Sequence, residues 1–234
     1  MAKETKKQEE LVNVEEVVNK SEAFLTKNKN TIVGGIVAVV VIIAAVFCYN
    51  NYVKAPRELK ASEALFQAEQ YFRNGNFEQA LNGDSLGAVG FVTVAEEYSG
   101  TEAGNLANAY AGMALAQLKK YEEALKYLND FSGDDAMVAP AALGTMGNCY
   151  AQLGQNDKAA SALMKAASMS DSHSLSPIYL LQAGQIYEEL GQNDKAVEAY
   201  KQIKNKYFNS MQAYDIDKYI ERASMKYDAR PNGY

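Results

Sequence analysis

The side chains able to carry reactive chemistry are few: one histidine, two cysteines and no tryptophan in 234 residues. His173 stands beside Asp171, Ser172 and Ser174, which are the residue types of a nucleophilic triad. A triad needs a base within reach of a hydroxyl and an acid behind that base, a geometry that neighbours in one connecting segment do not supply. An exposed linker histidine is the expectation. Cys149 falls in a helical stretch, where a small apolar filler is expected, and Cys48 lies in a long apolar run. Such a pair makes no disulfide within the folded part and leaves the redox compartment open. Nor do these residues compose a metal-ligand set. The reading predicts no enzyme, no metal and no cofactor. Charge removes a further class: 23 Lys and Arg against 29 Asp and Glu give −6. Because the first 30 residues balance six Lys with six Glu, the deficit lies downstream, and nucleic acid is not an expected partner.

The elements that organise the chain begin with an uncharged run. Between Lys29 and Lys54 no charge occurs, and Thr31 to Tyr49 reads TIVGGIVAVVVIIAAVFCY, long enough to cross a hydrocarbon core of about 30 Å as a helix. A buried core helix of this length would carry some polar relief. A cleaved signal peptide would have an apolar region of only about 7–15 residues and a short basic start. An uncleaved transmembrane helix is therefore expected over residues 31–53, in contact with the lipid bilayer. Its orientation is not set by charge, since Lys20, Lys27 and Lys29 on one flank face Lys54, Arg57 and Lys60 on the other. Gly34 and Ala38 form a small-xxx-small pair, and Tyr49 and Tyr52 suit an interfacial belt. Before the span, Leu11, Val14, Val17, Val18, Phe24 and Leu25 recur at helical spacing among Glu and Lys. An amphipathic helix in the leader 1–30 is expected, serving either as a stiff lead-in or as a docking face for a membrane partner.

Self-similarity organises the remainder. Leu153 to Ala159, LGQNDKA, recurs unchanged as Leu190 to Ala196, an offset of 37. Around the copies, Pro140, Leu143, Gly147, Tyr150 and Leu163 align with Pro177, Leu180, Gly184, Tyr187 and Tyr200. Earlier copies carry Gly112, Leu115, Ala124 and Leu128, and before them Ala68, Tyr71, Gly75 and Ala80. The alanine marker thus falls at 80, 124, 159 and 196. Small residues in both helices of a unit permit close antiparallel approach. Gly75, Gly154 and Gly191 suit a left-handed cap, Asn156-Asp157 and Asn193-Asp194 suit an N-cap, and Ser176-Pro177 suits a helix start. The pattern resembles the tetratricopeptide repeat, a helix-turn-helix unit of about 34 residues. It departs where no Trp opens a repeat, where Asn108 replaces a large residue and where Lys119 replaces a turn Gly. The 44-residue spacing implies an insertion near Asn82 to Gly87, read as a loop lengthening the first hairpin, whose second helix then runs through Phe91, Val94, Ala95 and Tyr98. Tyr214 to Tyr227 fits a cap helix. The fold class is all-α: one transmembrane helix, a linker at 54–60, and an α-solenoid of about four hairpins with a C-terminal cap helix over 61–234.

Repeat register places Phe66, Phe72, Tyr110, Met113, Asn148, Gln152, Ile178, Gln182 and Gln185 on the inner face of the first helices. Such a lining suits an extended or partly unfolded polypeptide, with aromatic and Met contacts and amides that meet backbone. A clamp for an acidic C-terminus is not expected, because the inner positions lack Lys and Arg. The layout, with Glu22 to Asn28 (EAFLTKN) running into the span, resembles the membrane-anchored tetratricopeptide family that includes the ancillary subunit of the bacterial Sec translocon. That resemblance implies a cytoplasmic N-terminus, a single-pass location in the inner membrane, a periplasmic repeat domain, and translocon subunits, periplasmic chaperones or unfolded polypeptides as partners. A structural adaptor in a division, secretion or outer-membrane assembly stays open beside this chaperone-like role.

Overall fold

The computed structural model describes residues 27–228, and all regular structure among them is helical. The amphipathic stretch expected between Leu11 and Leu25 lies outside the described residues. The chain divides into two units, one ending at Pro56 and one beginning at Arg57.

In the first unit, α1 (Lys29–Tyr49) has 21 residues, which at 1.5 Å each span about 31 Å. Its apolar side chains, Ile42 and Phe47 among them, are exposed, and both Gly34 and Gly35 stand in open space. The helix is long and apolar enough to cross a membrane. A π turn, Asn50–Lys54, follows, with the Ala55 N–H bonded to the Asn50 carbonyl five residues back. This widening accommodates Pro56, which has no N–H and whose ring would strike the carbonyl four residues earlier in a regular helix.

The second unit is a solenoid of helix hairpins. Its helices are α2 (Ala55–Arg73), α3 (Phe77–Asn82), α4 (Phe91–Glu97), α5 (Glu102–Gln117), α6 (Tyr121–Asp130), α7 (Val138–Gln152), α8 (Asn156–Ser170), α9 (Ser176–Glu189), α10 (Asn193–Lys206) and α11 (Ile216–Asp228). Residues 55–60, expected within a linker, are helical. Within hairpins α5 packs on α6, α7 on α8 and α9 on α10, while α4 meets α5, α6 meets α7, α8 meets α9 and α11 closes over α10. The cap helix is held by Ile216 and Ala223, both buried.

Small residues set the hairpin geometry. A Cβ at Gly112 would overlap Leu128, one at Gly147 would overlap Leu163, and one at Gly184 would overlap the Tyr200 ring. In these three hairpins a glycine of the first helix seats a large residue of the second, while Ala124, Ala159 and Ala196 are fully buried opposite. The turn between the two helices is built the same way four times. Gly75, Lys119, Gly154 and Gly191 hold φ of 77°, 62°, 70° and 71°. Each donates to the carbonyl three residues back, and the next residue donates to the one five back, as with Gly154 to Ala151 (3.0 Å) and Gln155 to Tyr150 (2.8 Å). This paired bonding is the Schellman arrangement, and it makes φ above zero obligatory at its first donor.

Two expectations change. Asn156 and Asn193 are the first residues inside their helices, and the preceding Gln155 and Gln192 occupy the cap without a side-chain bond to the backbone. The glutamine Oε1 atoms instead accept from Lys158 (2.9 Å) and Lys195 (2.8 Å), and those lysines lie over the Tyr150 and Tyr187 rings. Gln192 also donates to Asp157 of the preceding hairpin at 3.0 Å, so the seven-residue motif links one repeat to the next. The second change concerns the insertion, which does not simply lengthen the first turn. The second helix already begins at Phe77, breaks after Asn82 and resumes at Phe91. Asp84 organises the break, accepting from the N–H of Leu86 (2.8 Å), the N–H of Ala88 (3.0 Å) and the Tyr71 hydroxyl.

Candidate functional site

Repeat register picks out nine residues of α2, α5, α7 and α9 as the candidate inner face. Phe66 is 59% exposed, and Asn148, Gln152, Ile178 and Gln185 are also exposed. Met113 and Gln182 are half-buried, and the Gln182 Oε1 is buried without a hydrogen-bond partner among the described residues. Phe72 and Tyr110 are committed to packing. The Phe72 ring lies 5.4 Å from Phe77, 6.0 Å from Phe91 and 5.7 Å from Tyr110, and Tyr110 stacks on Phe91 at 5.4 Å. Burial raises the Tyr110 hydroxyl above the usual tyrosine range, with the Glu69 charge adding to it. These rings give the first two hairpins a shared wall.

Two features of this face were not read from the sequence. Gln117 is exposed and stands 35 residues before Gln152, the same interval that separates Ala124 from Ala159, so its repeat position was the available signal. The broken helix also brings Leu86, 92% exposed, to one depression of about 500 Å³ with Phe66, Gln70 and Asn74. Loop sequence carries no periodicity that would have placed it there. Between hairpins three and four, Gly144 is covered by the Tyr179 ring and offers no surface. The Thr145 hydroxyl donates to the Ala141 carbonyl at 2.8 Å. The exposed positions of α5, α7 and α9 in this register are Gln117, Asn148, Gln152, Ile178 and Gln185, amide or apolar, and Glu189, the counterpart of Gln152 in α9 and the one charge among them.

The face is fixed at both ends by charged side chains. At the start of the unit, Arg57 donates to the Glu97 carbonyl at the end of α4 (2.7 Å). The adjacent Glu58 carboxylate accepts from the N–H of Glu102 and of Ala103 (both 2.9 Å), capping α5. At the far end, Glu188 accepts from the Tyr200 hydroxyl (2.8 Å) and takes a two-point bond from Arg222 of α11 (3.0 and 2.6 Å). Desolvation, then the bond to Glu188, pushes the Tyr200 hydroxyl far above the tyrosine range.

The reactive side chains lie elsewhere and are not assembled. His173 Nδ1 is 2.9 Å from Asn209 Oδ1, and its ring meets Tyr207 edge-on at 5.4 Å. Asp171 accepts instead from Lys206 (2.5 Å) and the Tyr207 hydroxyl (3.1 Å). Cys149 is buried, and desolvation pushes its thiol up to about 11, so it stays protonated at neutral pH.

Residues 22–217 match the model of a tetratricopeptide repeat-like domain. No curated protein matches the chain. Among solved structures, a Podosopora anserina protein described as a putative kinesin light chain with nearly identical TPR-like repeats is 16% identical. That alignment covers 76% of this chain and 90% of the other, with a TM-score of 0.51. A second crystal structure of such Podosopora anserina repeats aligns at 16% identity over 76% and 91%, TM-score 0.50. MamA protein aligns at 17% identity over 72% and 88%, TM-score 0.47. At these identities the likeness concerns the fold.

Proposed function

The chain belongs to the tetratricopeptide repeat-like domain family, and from that premise we propose that it is a membrane-anchored factor that binds polypeptides along the inner face of its hairpins. Stacked hairpins present an extended surface to partners rather than a reactive cleft. The observation that carries the reading is the amide-rich lining, with exposed amides from three successive first helices, Glu189 as its one carboxylate in this register, and Phe66 at one end. Amides offer donors and acceptors to a partner's backbone irrespective of its side chains, and Met113 adds an adaptable apolar contact. With α1 crossing the inner membrane, the N-terminus cytoplasmic and the repeats periplasmic, the surface would stand where polypeptides emerge from the Sec translocon and meet periplasmic chaperones. Tethering raises local concentration, so weak contacts suffice there.

The test uses the full chain in its own membranes. Photo-crosslinkers at Gln152 and Gln185 should capture translocon subunits or emerging polypeptides, and Phe66→Ala, which removes an exposed ring and no core contact, should reduce the yield. A reporter fused after Tyr234 should be active only on the periplasmic side. A single folded partner in fixed stoichiometry, together with no suppression of client aggregation, would instead make the protein a structural adaptor.

A further inference from the structure

Asn108 of α5 stands where Leu143 and Leu180 stand in the next two hairpins, at the intervals of 35 and 37 that relate their alanine markers. Leu180 is 1% exposed, so in its hairpin a branched side chain fills the position. In the second hairpin the amide is half-buried and a depression of about 480 Å³ lies beside it. Ala95, Glu96 and Ser99 line it from the end of α4, with Lys126, Tyr127 and Asp130 from α6. A second depression shares Ser99, Asn108 and Asp130 with the first and continues it toward Glu102. Tyr127 gives this trough an aromatic wall. Its hydroxyl is raised above the usual tyrosine range by burial first, and then by the charges of Glu96, Glu123 and Asp130. Lys126 supplies one opposing charge against these three carboxylates. Among the described residues, no hydrogen bond or ion pair engages the Asn108 amide, the Tyr127 hydroxyl or the carboxylates of Glu96 and Asp130.

We propose that this trough binds an arginine side chain presented by a partner protein. A guanidinium is planar and weakly hydrated, so it stacks on a tyrosine face while its N–H groups reach carboxylates in the same plane. Glu96 and Asp130 line the same trough as the Tyr127 ring and supply those acceptors. The Asn108 carbonyl accepts a further N–H at the floor. None of these residues belongs to the inner-face set, so the site stands or falls apart from polypeptide binding there.

The experiment titrates the full chain in detergent micelles, isotope-labelled for NMR, with acetyl-Gly-Arg-Gly-amide. Its counterpart containing citrulline has the same shape without the charge. The arginine peptide should shift the Asn108 side-chain amide and the Tyr127 ring signals, and the citrulline peptide should not. Asn108→Leu should abolish the Tyr127 shift without lowering the melting temperature, because leucine serves at the equivalent positions. The double variant Glu96→Gln with Asp130→Asn, which alters only exposed carboxylates, should weaken binding roughly tenfold. Equal shifts with citrulline, or undiminished binding in either variant, would overturn the assignment. Should Asn108→Leu fail to fold, the double variant decides the matter alone.

Discussion

Lys119 holds a φ of +62° at the one hairpin turn where the other three place glycine. A side chain in the left-handed region crowds the following carbonyl at a cost of about 1–2 kcal/mol, partly offset because lysine gives up less backbone freedom on folding than glycine. Lys119→Gly should therefore stabilise the second unit by about 0.5–1 kcal/mol, raising the melting temperature by about 2–4 °C in thermal circular dichroism. No rise, or a fall, would show that the Lys119 side chain contributes something its exposure does not reveal. Asp84 carries the second prediction at this scale. The Tyr71 hydroxyl, and after it the Ala88 N–H, hold its carboxyl below the usual range, while the bond to Asp84 raises Tyr71 above its own. A carboxylate depressed on folding stabilises above its unfolded value and loses that contribution as pH falls through the folded one. A raised tyrosine stabilises until pH climbs through its folded value. The clasp on the break between α3 and α4 thus holds from about pH 4 to about pH 10. The hydrogen-exchange protection factors of Leu86 and Ala88, with the pH dependence of the intrinsic rate divided out, should fall as pH drops below that window, whereas Asp84→Asn should show low protection at neutral pH as well.

At the scale of helices, the hairpins were legible because their determinants are local and repeat. A glycine seats a large residue sixteen positions on at Gly112, Gly147 and Gly184, and the turn glycine recurs with the same bonding. What was not legible rests on contacts distant in sequence or on loop chemistry. Glu58 caps a helix 44 residues away, and Asp84 turns an apparent lengthened loop into a broken helix. Register picked the candidate inner-face residues, yet it does not distinguish an exposed ring, such as Phe66, from one spent on packing, such as Phe72. The seating of large residues has a direct consequence. Gly184→Ala drives a methyl into the Tyr200 ring, an overpacking cost of about 1–3 kcal/mol that the better helix propensity of alanine, up to about 1 kcal/mol, offsets only in part. A net loss of about 1–2 kcal/mol should appear as a lower midpoint in urea with unchanged slope. The cap helix has its own test. Glu188 is nearly buried while Arg222 is half-exposed, so Arg222→Ala should cost about 1–2 kcal/mol, less than a fully buried pair would. Exchange should then accelerate in α11 before it does in α5.

Across the whole second unit, buried residues fall into two clusters that divide within the third hairpin. One joins α2 to α7 through Phe91, Leu115, Leu128 and Cys149, and the other joins α8 to α11 through Leu180, Tyr200, Ile203 and Ile216. Outside both clusters stand Ala159, Ala160 and Ala166, which bury little area each, and Leu163, seated on Gly147, while the Tyr179 ring lies over Gly144. In a repeat array each unit is stabilised by its neighbours, so cooperativity weakens where an interface is poor in large side chains. Tyr179 is one large contact carrying the fourth hairpin on the third, beside Leu180 and Met164, and Tyr179→Ala should remove about 2 kcal/mol from that interface. The loss is regional. In native-state hydrogen exchange at low denaturant, the amides of α9, α10 and α11 should open as one group in the variant, well below the global unfolding free energy, while those of α5 and α6 keep their protection. Tyr200→Leu, inside the second cluster rather than at the seam, should instead lower protection within that group without changing its boundary. If Tyr179→Ala lowers protection evenly from α5 to α11, the array folds as a single cooperative body and the seam at the third hairpin has no energetic meaning.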